Sequence, residues 1–327
     1  MIRALQKTWP ETSITWIIGP GEYRLVGDLP GIEFIVFDKR RPLSALRKLR
    51  RKLAGRRFDA LLLAQVSARA SLVSLNIRAD RRVGFDRARS REGHGLFINE
   101  RIAAVPFQHQ AEAMIEFARH LGALEPDAAD RRPPIPEDAR AFAVDHQPQP
   151  GRAVLISPAS SHAARNWSAD GYARVADWII ERHARPVILV GGPSAAEREL
   201  GQAIADRMRF APTDLIGQDT LKQALAMIDR AACLVTPDAG PAHFAAALGT
   251  PVVGLYAATW SRRSGPLGSL EHCVDRFAEA SRKHLGCEPE AVRWGRRLEF
   301  PGVMDLIEPE AVIGRLNHLL AAPPAET

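Results

Sequence analysis

The chain has 327 residues, a length that corresponds to about two domains, and its 46% hydrophobic and 25% charged residues exclude a disordered, fibrous or coiled-coil protein. Apolar runs such as residues 251–258 and 186–190 fall well short of the ~20 residues that cross a bilayer, and the first ten residues lack the apolar block of a secretory signal. Cys233, Cys273 and Cys287 stand far apart with no CxxC pair, which argues against a disulfide framework or a zinc site and fits a reducing cytoplasm.

Residues 1–9 read as the back end of a helix closed by Pro10, followed by strands over 14–18 and 34–37. A strongly basic stretch over 39–57 comes next, then a strand over 60–63 and a helix over 110–121. Prolines 133, 134, 136, 148 and 150 interrupt the rhythm over 131–152 and predict an inter-domain connection. Beyond it strands over 154–157, 187–190, 233–236 and 252–256 alternate with helices over 171–183, 195–208 and 221–229, and a helix over 308–321 precedes a Pro-rich tail. Continuously apolar strands alternating with helices predict α/β domains with parallel sheets covered on both faces. The expected layout is a domain over 1–145, a linker over 146–152, a second domain over 153–304, and a C-terminal helix and tail over 305–327, with a cleft between the domains.

The net charge of +6 is uneven: residues 1–110 carry 21 Lys and Arg against 10 Asp and Glu. Residues 39–57 hold ten cations and no carboxylate, with Leu43, Leu46, Leu49 and Leu53 recurring at helical spacing. Such a helix either packs on its sheet through the leucines or lies on an anionic membrane surface. Nucleic acid is disfavoured as a partner, since aromatic residues make up only 6% and no recognised motif interleaves them with the cations.

The strongest chemical signal is TPDAGPAH (236–243), a tight loop between a strand and a helix. Pro241 suits the first helical turn and Gly249 the C-terminal cap. Gly240 lets a ligand approach the backbone, and the helix N-terminus suits a diphosphate. Asp238 either caps this helix or lies beside a sugar; His243 is either packed or in contact with ligand. A second loop, PASSHAARNW (158–167), offers the hydroxyls of Ser160 and Ser161 and the guanidinium of Arg165 for phosphate oxygens. Trp167 reads as core and Ser168 as a helix cap. A third loop, residues 191–194, leads into a helix bearing Glu197, a carboxylate placed either for ribose hydroxyls or for the positive end of its own helix. Together the three loops predict a pocket for a nucleotide diphosphate attached to a further group.

TPDAGPAH with AALGTPVVGLY (246–256) behind it resembles the signature of glycosyltransferase family 9, the ADP-heptose:lipopolysaccharide heptosyltransferases. The resemblance extends to PASSHAARNW, WSADGYARVADWI (167–179) and LVGGPSAAERE (189–199). In the front domain LLLAQVSARAS (61–71), RRVGFDRARSRE (81–92) and residues 107–110 look most like the heptosyltransferase I branch. It implies a GT-B fold of two Rossmann-like domains, acceptor on the first and donor on the second, and inverting transfer by direct displacement without a metal or other cofactor. By position, Ser160, Ser161, Arg165, Glu197, Asp238, Ala239, Gly240 and His243 are implied in donor binding, and Arg69, Arg91 and His109 in binding an anionic acceptor. Arg165 stands where the family usually has Lys, and Ala239 where it often has Ser or Thr.

Family members begin with a strand and a Gly-Asp loop whose Asp is the proposed general base; in this comparison that segment would precede Met1, so the catalytic residue is unassigned. The expectation is a start placed downstream of the full reading frame, leaving a chain less stable and catalytically poorer than a longer form. The function implied is transfer of heptose from ADP-L-glycero-D-manno-heptose to Kdo-lipid A, the inner core of lipopolysaccharide, by a cytoplasmic enzyme peripheral to the inner membrane. Alternatives are a family 9 transferase with another nucleotide sugar or acceptor, and a non-catalytic nucleotide-sugar binding protein.

Overall fold

The computed structural model describes residues 1–127 and 129–321, so the Pro-rich tail expected at the end lies outside the described residues. The strands are β1 (Ile14–Ile18), β2 (Ile32–Val36), β3 (Phe58–Leu62), β4 (Ala79–Gly84), β5 (Glu100–Arg101), β6 (Val154–Ile156), β7 (Val187–Leu189), β8 (Thr213–Asp214), β9 (Cys233–Pro237), β10 (Val252–Tyr256) and β11 (Val274–Asp275). The helices are α1 (Ile2–Thr8), α2 (Pro20–Val26), α3 (Pro42–Leu53), α4 (Ala68–Ser74), α5 (Gln110–Leu121), α6 (Glu137–His146), α7 (Ala169–His183), α8 (Ala195–Ala205), α9 (Leu221–Arg230), α10 (Gly240–Leu248), α11 (Ser261–Ser264), α12 (Phe277–Leu285) and α13 (Pro309–Ala321). The chain divides into two compact units, Met1–Pro134 and Ile135–Thr327.

In the first unit β1 pairs with β2, and β3, β4 and β5 form a second parallel sheet. Leu49 and Leu53 of α3 are buried against Ile35 and Ile77, so the helical spacing of leucines marks a packing face while Arg47, Arg51 and Lys52 stay outside. Leu43, at the start of the same helix, is 72% exposed and takes no part in that core. Phe117 of α5 packs edge-on to Phe85, with ring centroids 5.0 Å apart. Arg82 ties the far side of β4 together, donating to the carbonyls of Phe97, Ile77 and Ser74 and to Ser74 Oγ at 2.8–3.1 Å.

The second unit contains one six-stranded parallel sheet of order β11-β10-β9-β6-β7-β8. Every residue of β6, β7, β9 and β10 is buried, as helices on both faces demand. Full burial of each Val, Leu or Ile there stabilises the fold by roughly 1.5–3 kcal/mol before the entropy of ordering is set against it. Ser168 caps α7 by accepting from Gly171 N, and Trp167 is buried, its Nε1–H donating to the Ile307 carbonyl at 2.9 Å.

Two expectations need correction. The Pro-rich stretch 131–152 is not a simple connection: its prolines flank α6, which has none inside it and packs on α9 through Ala139 and Ala143. Gln147, just beyond, donates to the Met227 carbonyl at 2.8 Å, so α6 belongs to the second unit. The helix expected over 195–208 stops at Ala205, because Asp177 captures the amides of Arg209 and Phe210 at 3.0 and 3.2 Å and pulls the chain away.

Candidate functional site

The strand order places β6 centrally, with β7 and β8 running to one side and β9, β10 and β11 to the other. The point where successive strands leave in opposite directions is where α/β sheets open a crevice at their carboxyl ends. The loops after β6 and β9 flank that point, and the loop after β7 lies next to it. Three segments separated in sequence by dozens of residues are thereby brought to one end of one sheet.

After β9 the N-cap of α10 is Ala239, not Asp238. Alanine has no acceptor to offer, and no side chain among the described residues caps the first turn, so the amides at the positive end of the helix keep their donors uncapped. Asp238 turns elsewhere: its carboxylate lies 3.5 Å from Arg165 Nη1 and accepts from Ser264 Oγ at 3.4 Å. His243, one turn in, is solvent-accessible, and the protein around it lowers its pKa below the ordinary histidine value, with Asp238 opposing.

Arg165 is the organising cation. It closes a short 3-10 turn, Ala163–Arg165, and its side chain is only 8% exposed. Nη1 donates to the Asp238 carbonyl at 3.1 Å and Nη2 to Ser161 Oγ at 3.2 Å, while Nε is buried without a hydrogen-bond partner. Ser160 is held by its own loop, its amide donating to Asn166 Oδ1 and its hydroxyl to the His162 carbonyl. Glu197 is turned back on its own segment, accepting from Gly192 N at 2.6 Å and Ser194 Oγ at 3.1 Å; in this state it shapes the third loop.

Two carboxylates escaped the sequence reading. Glu299 lies 3.6 Å from Arg165 Nε, 3.9 Å from His162 Nδ1 and 3.8 Å from Arg297 Nη1. More than 130 residues separate it from the loop it meets, and only its place beside Arg296 and Arg297 hints at a charged cluster. Asp219 precedes the capping box of α9. Its Oδ2 is buried without a partner, and burial, with Glu197 nearby, raises its pKa to about 6.

In the first unit Arg69 is exposed in the first turn of α4 and Arg91 is exposed on a loop. Glu92 Oε2 accepts from Ala68 N at 2.6 Å and ties those segments together. Arg89 donates to Gln108 Oε1 and to the Ala103 carbonyl, drawing the segment before His109 to the same loop. His109 is the N-cap of α5, its Nδ1 accepting from Ala111 N at 3.1 Å. That bond places the proton of the neutral ring on Nε2.

Residues 46–291 match the model of glycosyltransferase family 9 (heptosyltransferase). The chain belongs to that family. It is a glycosyltransferase, and its two α/β units are those of the GT-B class. It is 35% identical over 320 residues to the lipopolysaccharide core heptosyltransferase OpsX of Haemophilus influenzae, covering 98% of this chain and 91% of that protein. Among solved structures, a family 9 glycosyltransferase from Veillonella parvula matches with a TM-score of 0.79 at 22% identity, over 98% of this chain and 92% of that one. The Escherichia coli heptosyltransferase WaaC with ADP matches with a TM-score of 0.72 at 18% identity, over 97% and 93% of the two chains. These likenesses in structure establish the fold.

Proposed function

We propose that this family 9 glycosyltransferase transfers heptose from ADP-L-glycero-D-manno-heptose to a hydroxyl of Kdo-lipid A in the inner core of lipopolysaccharide. The observation that carries the reading is the pairing of an uncapped helix, α10, with the nine-tenths buried Arg165 at the switch point of the sheet. That pair is suited to the charge that grows on a departing diphosphate. The acceptor hydroxyl oxygen attacks the anomeric carbon from the face opposite the diphosphate; the new C–O bond forms as the old one breaks, ADP leaves with the bonding pair, and the hydroxyl proton is released to water. Donors held in place before the reaction stabilise that charge without reorganising. Ser160, Ser161, Ala239 and Gly240 frame the phosphates, Asp238 and His243 lie toward the sugar, and Glu197 takes the ribose on exchanging its local hydrogen bonds.

Similarity to OpsX, a lipopolysaccharide core heptosyltransferase, supports this choice of substrates. Arg69, Arg91 and His109 supply cationic and hydrogen-bonding groups for an anionic acceptor. The exposed cations of α3 suit the anionic cytoplasmic face of the inner membrane, with the enzyme working there as a peripheral protein; no helix among the described residues is long and apolar enough to cross a membrane. The test is incubation of the chain with ADP-heptose and a heptose-deficient lipopolysaccharide. Gain of one heptose by mass spectrometry with equimolar ADP release is expected. Failure to bind ADP, or transfer from a different nucleotide sugar alone, would overturn the assignment.

A further inference from the structure

Beside the donor loops, the second unit has a shallow recess that none of the motifs above includes. Its lining contains Arg263, Arg293, Arg296 and Arg297 together with Trp260 and Trp294, and no carboxylate. The aromatic floor is built, not incidental: Trp260 stacks on Phe277 with ring centroids 5.4 Å apart and 8° between planes, and Trp294 meets Trp260 edge-on at 5.6 Å. Arg262 lies over Trp260 at 5.6 Å. Gly295 makes the turn that brings the arginines together. Its φ is +85°, and a Cβ there would come within 3.0 Å of Arg263 Nε.

Arginines gathered this closely repel one another; Glu299, 3.8 Å from Arg297 Nη1, offsets one of them, and three other acids nearby are engaged elsewhere. Glu288 pairs with Arg282 at 2.9 Å and Glu279 with Arg276 at 3.3 Å. Asp275 accepts from the amides of Ser261 and Phe277 at 2.9 and 2.8 Å. The cluster also sits in a part of the chain that is net acidic, since residues 111–327 carry 23 Lys and Arg against 28 Asp and Glu. Guanidinium forks are matched to carboxylates and phosphates, and tryptophan offers a broad apolar face with a polar edge. An anionic sugar presents both complements at once.

We propose that this recess binds an anionic group, carboxylate or phosphate, on the acceptor saccharide, so that the donor-binding unit also holds part of the acceptor. The proposal rests on the transferase reading above. Arg297 links the two sites: its Nη1 lies 3.4 Å from His162 Nε2 on the diphosphate loop. An acceptor anion in the recess would lie close to the donor diphosphate, and the intervening arginine offsets the repulsion between them.

The test uses the full chain and saturation-transfer NMR with three probes: Kdo methyl glycoside, glucosamine 6-phosphate, and the methyl ester of the first as a neutral control. At least one anionic probe is expected to bind while the ester does not, with the stronger of the two identifying the anion recognised. Arg293→Gln/Arg296→Gln should cut that signal at least fivefold, keep the ADP Kd within twofold, and raise the acceptor KM about tenfold at unchanged kcat. Trp294→Leu, which keeps every charge, should weaken the same probe. Equal binding of the ester, no binding of either anion, or an unchanged acceptor KM in the double variant would overturn the proposal. So would parallel loss of ADP binding in a folded double variant, which would assign the cluster to the donor. The two readings separate cleanly: anionic-sugar binding without heptose transfer sinks the function and leaves the recess, whereas transfer with an unchanged acceptor KM does the reverse.

Discussion

Replacing Arg165 by Ala removes a cation that meets the carboxylates of both Asp238 and Glu299, at 3.5 and 3.6 Å. A hydrogen bond to a charged partner contributes about 1.5–3 kcal/mol, and Arg165 can offer a diphosphate a two-pronged contact. Its loss also leaves two carboxylates facing the incoming anion without their counter-ion. The combined penalty for ADP binding is about 3–4 kcal/mol, or roughly 150- to 900-fold in Kd. Arg165→Lys keeps the charge and loses the fork, so it should give back most of the affinity and fall within about tenfold of the parent. Arg165→Ala/Glu299→Ala should recover part of the loss, because one of the stranded carboxylates is gone. Calorimetric titration with ADP measures all three variants. Binding by Arg165→Ala within threefold of the parent, with the fold intact by circular dichroism, would refute the assignment of Arg165 to the diphosphate.

Three further outcomes are expected. Trp167→Phe keeps most of the ring but leaves the Ile307 carbonyl without its donor, so urea denaturation should show a loss of about 1–3 kcal/mol. Arg82→Met removes the donor to the carbonyls of Ser74, Ile77 and Phe97 and should destabilise the first unit by about 1–3 kcal/mol, seen as earlier hydrogen exchange in β3 and β4 while the second unit is unchanged. Asp219 has a folded pKa raised from 3.8 to about 6, so the folded state binds its proton more tightly than the unfolded state does. Its ionisation therefore lowers stability progressively as pH rises from about 4 to 6 and leaves a constant penalty above that. Asp219→Asn should then be more stable than the parent by about 1–2 kcal/mol at pH 8, after allowance for solvent screening, and equal to it near pH 3.5; an advantage that does not change with pH would refute the burial argument.

The sequence alone determined what is local. Runs of consecutive apolar residues located β6, β7, β9 and β10, because strands buried on both faces need them. A hydroxyl residue ahead of a periodic stretch marked the cap at Ser168. The strand-loop-helix punctuation of residues 236–249 placed the start and end of α10, since Pro241 and Gly249 act on their own backbone. Which residues meet was decided by tertiary structure. The central position of β6 makes three loops neighbours, and it follows from pairings between strands up to about 80 residues apart. Asp238 was assigned to cap or sugar from its neighbours in the chain, yet its carboxylate partners are Arg165 and Ser264. Glu299, which completes that cluster, and the arginine-tryptophan recess join segments that carry no shared periodicity or motif. Periodicity and capping depend on hydrogen bonds and side chains within a few residues, which a linear pattern records; charge complementarity across folded loops depends on distance in space, which it does not.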